Sequence, residues 1–266
     1  MPPRPGDRSA SAIASVVDRL RAAGCVFAED EARLLIESAP TSSALESMVA
    51  ARVAGRPLEH VLGWAEFCGL RIGVDVGVFV PRRRTELLVG QAVLLAPPRA
   101  VVVDMCCGSG AVGAAVLAAR PDIELHASDV DAAAVSCARR NLGSGGQVYA
   151  GDLFDALPAA LRGRVDVVVA NVPYVPTDEI ALMPPEARVH ERRVALDGGD
   201  DGLDVQRLVS AQAPHWLAPG GHLLIETSER QAPVSLDIFR SNGLTAWLAS
   251  SQELDATVVI GRVPLT

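Results

Sequence analysis

From residue 99 onward the chain alternates short apolar runs with helical segments. Residues 100–103, 123–128, 148–150, 165–170 and 221–226 read as strands, and residues 110–119, 132–141 and 203–213 read as helices. Val165-Asp166-Val167-Val168-Val169-Ala170 is nearly continuous in apolar character, as a strand covered on both faces must be. Strand–helix alternation of this kind closes its hydrophobic surfaces as a mainly parallel sheet with helices on both sides. The expected class is therefore α/β with a Rossmann-like sheet. Residues 244–249 and 257–263 add a terminal pair of strands, and no internal repeat is present.

The first part of the chain differs. Ile13, Val16, Val17 and Leu20 recur at helical spacing, and Leu34, Leu35, Leu45, Met48 and Val49 continue the pattern. Gly24 and Pro40-Thr41-Ser42-Ser43 punctuate it. In residues 63–80, Phe67, Leu70, Ile72, Val74, Val76, Val78 and Val80 fall largely at alternate positions, which reads as a β-hairpin or two short strands. The expected division is a helical domain over 1–62, a hairpin linker over 63–84, and an α/β domain over 85–266. The opening residues, Met1 to Asp7, lack the apolar core of a signal peptide and read as a floppy tail, and no run has bilayer-spanning length.

Charge and cysteine usage narrow the function classes. The net charge of −8 argues against a free-standing duplex DNA binder, which carries a basic face. All 24 basic side chains are arginine; Arg82-Arg83-Arg84 and Arg192-Arg193 are the local basic runs. Five cysteines without a Cys-x-x-Cys pair suggest neither a disulfide framework nor a zinc ribbon, and free thiols fit a cytoplasmic protein. The five histidines are scattered with no H-x-x-x-H pair, so no metal site is expected.

Gly108-Ser109-Gly110-Ala111-Val112-Gly113 fits G-x-G-x-x-G between a strand and a helix, the arrangement that lets backbone approach a nucleoside cofactor. Asp104 precedes the turn. Asp129 ends the next strand, where an acid accepts hydrogen bonds from ribose hydroxyls, and Asp152 follows a third strand, within reach of an adenine amine. Asp131 reads as the cap of the following helix. Cys106-Cys107 are read as small packing residues rather than nucleophiles. NAD and S-adenosylmethionine both suit this pattern.

Asn171-Val172-Pro173-Tyr174 separates them. At a strand's end it offers a side-chain amide, a neighbouring carbonyl and a flat phenol. That set suits holding a planar NH2 group while its nitrogen attacks an electrophile, and hydride transfer has no use for it. Asn171 Oδ1 would accept one N–H of the acceptor and the Val172 carbonyl the other, with Tyr174 as a wall. The competing reading is that Asn and Pro simply shape a turn.

These residues, with several others, carry a resemblance. Gly55-Arg56-Pro57-Leu58, Gly63, Glu66-Phe67, Val80-Pro81-Arg82 and Thr85-Glu86-Leu87-Leu88-Val89 are similar to the linker of the protein-(glutamine-N5) methyltransferases that modify bacterial release factors. Asn171 to Tyr174 resembles their Asn-Pro-Pro-Tyr motif. Glu191, Ala195-Leu196, Gly198-Gly199 and Asp201-Gly202-Leu203 match the segment after it. Val172 stands in place of the motif's first proline, Arg82-Arg83-Arg84 in place of an Arg-Pro-acid step, Arg192 in place of a proline, and Glu226-Thr227-Ser228 in place of Glu-Ile-Gly.

The resemblance implies a helical domain that docks a protein substrate, a hairpin, and a seven-stranded S-adenosyl-L-methionine-dependent domain acting on the glutamine of a Gly-Gly-Gln loop. The expected catalytic set is Asn171, Val172, Pro173 and Tyr174. The expected cofactor set is Asp104, Cys106, Gly108, Gly110, Asp129, Val130, Asp152, Leu153, Asn171 and Thr85. Thr85 reads equally as a helix cap, and Glu191 as a brace for the Asn171 loop. Three other classes stay open: an adenine-N6 nucleic-acid methyltransferase, which shares the planar NH2 target, a cofactor-binding scaffold without catalysis, and a nicotinamide oxidoreductase.

Overall fold

The computed structural model describes residues 5–265, with side chains from residue 13 onward. The first four residues of the expected tail lie outside the described residues, and Pro5 opens a helix. Helices α1 (Pro5–Ala22), α2 (Ala28–Ser38), α3 (Ser42–Val53) and the short α4 (Leu58–Leu62) come first. Thr41 caps α3, its Oγ1 accepting the Ala44 N–H at 3.1 Å. Val16, Val17, Leu20, Leu35 and Val49 close a core of their own between these helices.

Strands β1 (Trp64–Phe67) and β2 (Leu70–Gly73) form the expected hairpin. The alternation continues through Val80 in the sequence, but the strand stops at Gly73. Asn141 takes both hydrogen-bonding groups of that glycine, accepting its N–H at 2.9 Å and donating to its carbonyl at 2.8 Å. A turn then closes between the Asp75 carbonyl and the Val78 N–H. Val74, Val78 and Val80 are buried beside Cys137, so the period-two pattern records burial against a helix rather than pairing with a strand.

The remaining elements are α5 (Glu86–Leu95), β3 (Val101–Met105), α6 (Ala111–Ala119), β4 (Glu124–Asp129), α7 (Ala132–Leu142), β5 (Gly146–Ala150), β6 (Val165–Ala170), α8 (Pro185–His190), α9 (Asp204–Gln212), β7 (Leu217–Thr227), α10 (Ala232–Ser241), β8 (Thr245–Ser251) and β9 (Ala256–Arg262). The sheet runs β5-β4-β3-β6-β7-β9-β8, with β9 antiparallel to both neighbours. Alternate side chains feed two cores. Val102, Val167 and Leu224 face α5 and α6, while Val103, Val168, Ile225 and Phe239 fill the opposite face. Burying each such side chain contributes about 1.5–3 kcal/mol.

The strand order reverses between β3 and β6. Chain leaving β3 crosses towards β4, and chain leaving β6 crosses towards β7, so a crevice opens at their carboxyl ends. Met105 and Ala170, the last residues of these two strands, are register partners. The glycine-rich loop and the Asn171 segment therefore start side by side, although 65 positions separate them.

Candidate active site

A cavity of about 660 Å³ lies over this crevice, a size suited to a nucleoside cofactor. Its wall includes Asp104, Cys106, Gly108, Asp129, Val130, Asp152, Leu153, Asn171, Val172, Pro173, Tyr174 and Thr85. One residue of the expected cofactor set, Gly110, stands behind the wall. Its φ of +77° and the closeness of Ala138, whose Cβ would lie 3.0 Å from any Cβ added here, make it a packing glycine between the loop and α7.

The acidic groups organise the loop. Asp129 Oδ2 accepts the Gly108 N–H at 2.9 Å, and Oδ1 accepts the Asp131 N–H at 2.8 Å. Burial raises its pKa against those bonds. Asp104 is buried, and its Oδ2 accepts the Gly113 N–H at 2.8 Å. Burial pushes this carboxyl up to about 7, with the Gly113 bond opposing and the nearby Asp129 charge adding to the rise. Asp131 caps α7 as expected, accepting the Ala133 N–H at 2.9 Å. Burial also raises the thiols of Cys106 and Cys107, which leaves them protonated and poor nucleophiles.

Asn171 Nδ2 donates to Thr85 Oγ1 at 3.5 Å. Thr85 makes no side-chain cap on α5, so its hydroxyl belongs to the site and not to the helix end. Tyr174 donates its hydroxyl to Glu226 Oε1 at 3.3 Å. Burial, then the Glu226 charge, pushes the phenol up to about 12, so it stays a donor. Val172 is 2% exposed and belongs to the apolar core under the loop.

The loop's brace is the Leu196–Leu203 stretch. Val175 N–H donates to the Leu196 carbonyl, Gly198 N–H to the Val175 carbonyl, and Thr177 N–H to the Gly199 carbonyl. Gln231 Nε2 donates to the carbonyls of Tyr174 and Asp201 at 3.0 and 2.9 Å. The brace expected at Glu191 acts elsewhere: Glu191 Oε1 accepts from the Val80 N–H and from Arg82 Nη2, so it holds the linker against the cavity. Gln231 carries no sequence signal. Glu226 carries one, an acid at the end of an apolar strand, which marks a crevice position in such a sheet.

The basic runs are not free patches. Arg82 pairs with Glu191, Arg83 with Glu253, Arg192 with Asp131 and Arg193 with Asp197, while Arg84 lies 3.7 Å from Glu226. A further link reaches the helical part. Arg52 binds Glu31 through two nitrogens and donates at 2.7 Å to Glu186, a residue of the cavity wall on α8.

Six parallel strands with one antiparallel strand at this position, and a nucleoside-sized cavity at the switch point, define a Rossmann-like methyltransferase. The solved methyltransferase from Pyrococcus furiosus has the same fold, with a TM-score of 0.56 at 16% identity over 74% of this chain and 90% of that one. The family described as Methyltransferase small domain matches residues 71–199. The release factor glutamine methyltransferase of Geobacter sulfurreducens is 38% identical over 204 residues, covering 76% of this chain and 71% of that protein. The enzyme of the same name from Cereibacter sphaeroides is 34% identical over 97% of this chain and 99% of its own length. The chain belongs to the release factor glutamine methyltransferase family, a family of S-adenosylmethionine-dependent enzymes. The resemblance read from the linker and the Ala195–Leu203 segment is borne out, and the adenine-N6 and scaffold readings are not favoured.

Proposed function

We propose that this chain methylates the carboxamide nitrogen of a glutamine side chain in a peptide-chain release factor, the acceptor carried in its relatives' name. The observation behind this reading is that Asn171, Val172 and Tyr174 share one cavity with Gly108 and Asp129, because Met105 and Ala170 are paired. The lining fits S-adenosylmethionine. Asp129 keeps spare lone pairs for ribose hydroxyls after accepting two backbone N–H groups. All of these residues line the cavity: Asp152, with Val130 and Leu153, would meet the adenine, and Asp104, Cys106, Gly108 and Thr85 would hold the methionine end. When bound, S-adenosylmethionine supplies a methyl carbon on a sulfonium sulfur and departs as S-adenosylhomocysteine.

The protein's task is alignment more than activation. A carboxamide nitrogen is a weak nucleophile, because its lone pair is delocalised. Asn171 Oδ1 accepts one acceptor N–H and the Val172 carbonyl the other, holding the NH2 plane edge-on to these oxygens and its face towards the methyl donor. Both bonds strengthen as positive charge grows on nitrogen, so they favour the transition state over the ground state. The surplus proton leaves to water, since the methylated cation is strongly acidic.

In this reading residues 1–62 form the docking domain for the release factor, 63–84 the linker and 85–266 the catalytic domain. The separate core of the first helices and the Arg52–Glu186 contact support that division. The acceptor class and five free thiols support work in the cytoplasm. The carboxylate at each arginine of the basic runs, with the net charge of −8, argues against duplex DNA as a partner.

Asn171→Ala tests the assignment. With methyl-labelled cofactor and a release factor as acceptor, turnover falls by at least ~100-fold, the scale of losing one electrostatic contact at a reacting centre. Cofactor affinity by calorimetry barely moves, and mass spectrometry finds the wild-type label on a glutamine. Near-normal turnover, or label on another residue, overturns the reading.

A further inference from the structure

Glu226 lies behind the cavity wall and is not part of it. It ends the apolar run of β7 and is 2% exposed. Its Oε1 accepts from the Tyr174 hydroxyl at 3.3 Å and faces Arg84 Nε at 3.7 Å. Its Oε2 is buried with no partner inside normal hydrogen-bond range. The Thr85 hydroxyl also faces this carboxylate and favours its charged form. Thr85 itself is 2% exposed, and its oxygen receives Asn171 Nδ2.

A hydroxyl has one hydrogen to give, and an ionised carboxylate can only accept. With Glu226 ionised, the Thr85 hydrogen has a destination on Glu226, and the Thr85 oxygen is left as an acceptor. An acceptor at that point draws the NH2 end of the Asn171 amide and turns Oδ1 away from Thr85, towards the acceptor's side. The opposite orientation of Asn171 would present an NH2 group to the NH2 group of the incoming amide, and neither could accept. We propose that Glu226 is a positioning residue that sets the orientation of the Asn171 amide through the Thr85 hydroxyl, and so selects a nitrogen-bearing donor as the acceptor group. This rests on Asn171 holding the acceptor amide, the reading given above.

The relay depends on charge. The charged or titratable groups that face Glu226 are the Arg84 guanidinium and the Tyr174 phenol. Burial raises the Glu226 pKa, and Thr85, Arg84 and Tyr174 work against that rise. As pH falls through this raised value, the carboxyl gains a hydrogen of its own. It can then donate to Thr85, releasing the Thr85 hydrogen towards Asn171 Oδ1 and reversing the amide.

Four variants test this at saturating cofactor with a glutamine peptide as acceptor. Glu226→Gln keeps the shape but offers an NH2 group to Thr85; kcat falls by roughly 10- to 100-fold, the scale of misplacing a reacting group. Affinity for S-adenosylhomocysteine, read by calorimetry, stays within ~2-fold, because Glu226 is not part of the cavity wall. Thr85→Val gives the same loss, and Thr85→Ser restores most of the activity. In a Thr85→Val background Glu226→Gln costs nothing further, because the relay is already cut.

On the acid side, Glu226→Gln also removes one ionisation from the pH profile of kcat. In parallel, binding of the glutamine peptide with S-adenosylhomocysteine present weakens in Glu226→Gln. Additive losses in the double variant, an unchanged acid limb, or Thr85→Ser behaving as Thr85→Val would overturn the proposal. So would full activity of Glu226→Gln while Asn171→Ala is inactive, and that pattern would leave the Asn171 assignment standing.

Discussion

Asp104→Asn separates a structural burden from a functional site. Asp104 is 1% exposed at the end of β3, and its one clear partner is the Gly113 N–H at 2.8 Å. In the folded chain the carboxyl holds its proton up to about 7; in the unfolded chain it releases it near 3.8. Between those values the folded state binds more protons than the unfolded state, so stability falls as pH rises. The contribution is fully present below pH 4 and is gone once pH passes about 7. Each pH unit in that window is worth about 1.4 kcal/mol, so the whole window is worth on the order of 4 kcal/mol. Asparagine keeps an oxygen for the Gly113 N–H and never ionises.

The assay is urea unfolding of both proteins at half-unit steps from pH 5 to 8.5. Near pH 5 the two differ little. By pH 8 Asp104→Asn gains roughly 3 kcal/mol on the wild type, from the part of the window that lies above pH 5. The burial of Asp129 raises its own carboxyl in the same direction in both proteins, so of that group only its coupling to the Asp104 charge enters the difference. A difference that does not vary with pH refutes the reasoning, because it means that Asp104 is ionised at pH 5 in the folded state. A wild type that stays ahead at pH 8 refutes it equally, since the ionised carboxylate would then be better hydrogen-bonded than the structure shows.

Two other predictions follow from the scaffold. Arg52→Ala leaves Glu31 buried with no cation and destabilises the chain by about 3–5 kcal/mol in urea unfolding; replacing both residues by apolar ones of similar size recovers most of that loss. Gly202→Ala places a Cβ on the Tyr174 carbonyl oxygen and 2.5 Å from Gln231 Nε2, at a φ of +77°. It costs about 1–3 kcal/mol and lowers methyl transfer, because the strain falls on the loop that carries Asn171.

The amino-acid sequence by itself determined the sheet. Continuous apolar runs such as 165–170 cannot be covered except between helices, and the glycines after Met105 can only follow a strand that feeds a helix. It also determined Asp131 as a cap, through a local contact two residues long. Helices α5 and α10 carry weaker sequence signals. α5 is apolar on nearly every side, and α10 begins on Gln231 without a capping hydrogen bond, so neither announces a face or a start.

Only the tertiary structure decided how distant residues meet. The pairing of Met105 with Ala170 brings the loop to Asn171; Asn141 ends the hairpin at Gly73; and Glu226, Thr85 and Gln231 converge from three segments on one tetrapeptide. Periodicity encodes which face of an element is buried, because that depends on residues three or four apart. It carries no record of which side chain stands behind another, because hydrogen-bond partners across a crevice are chosen by strand order and register.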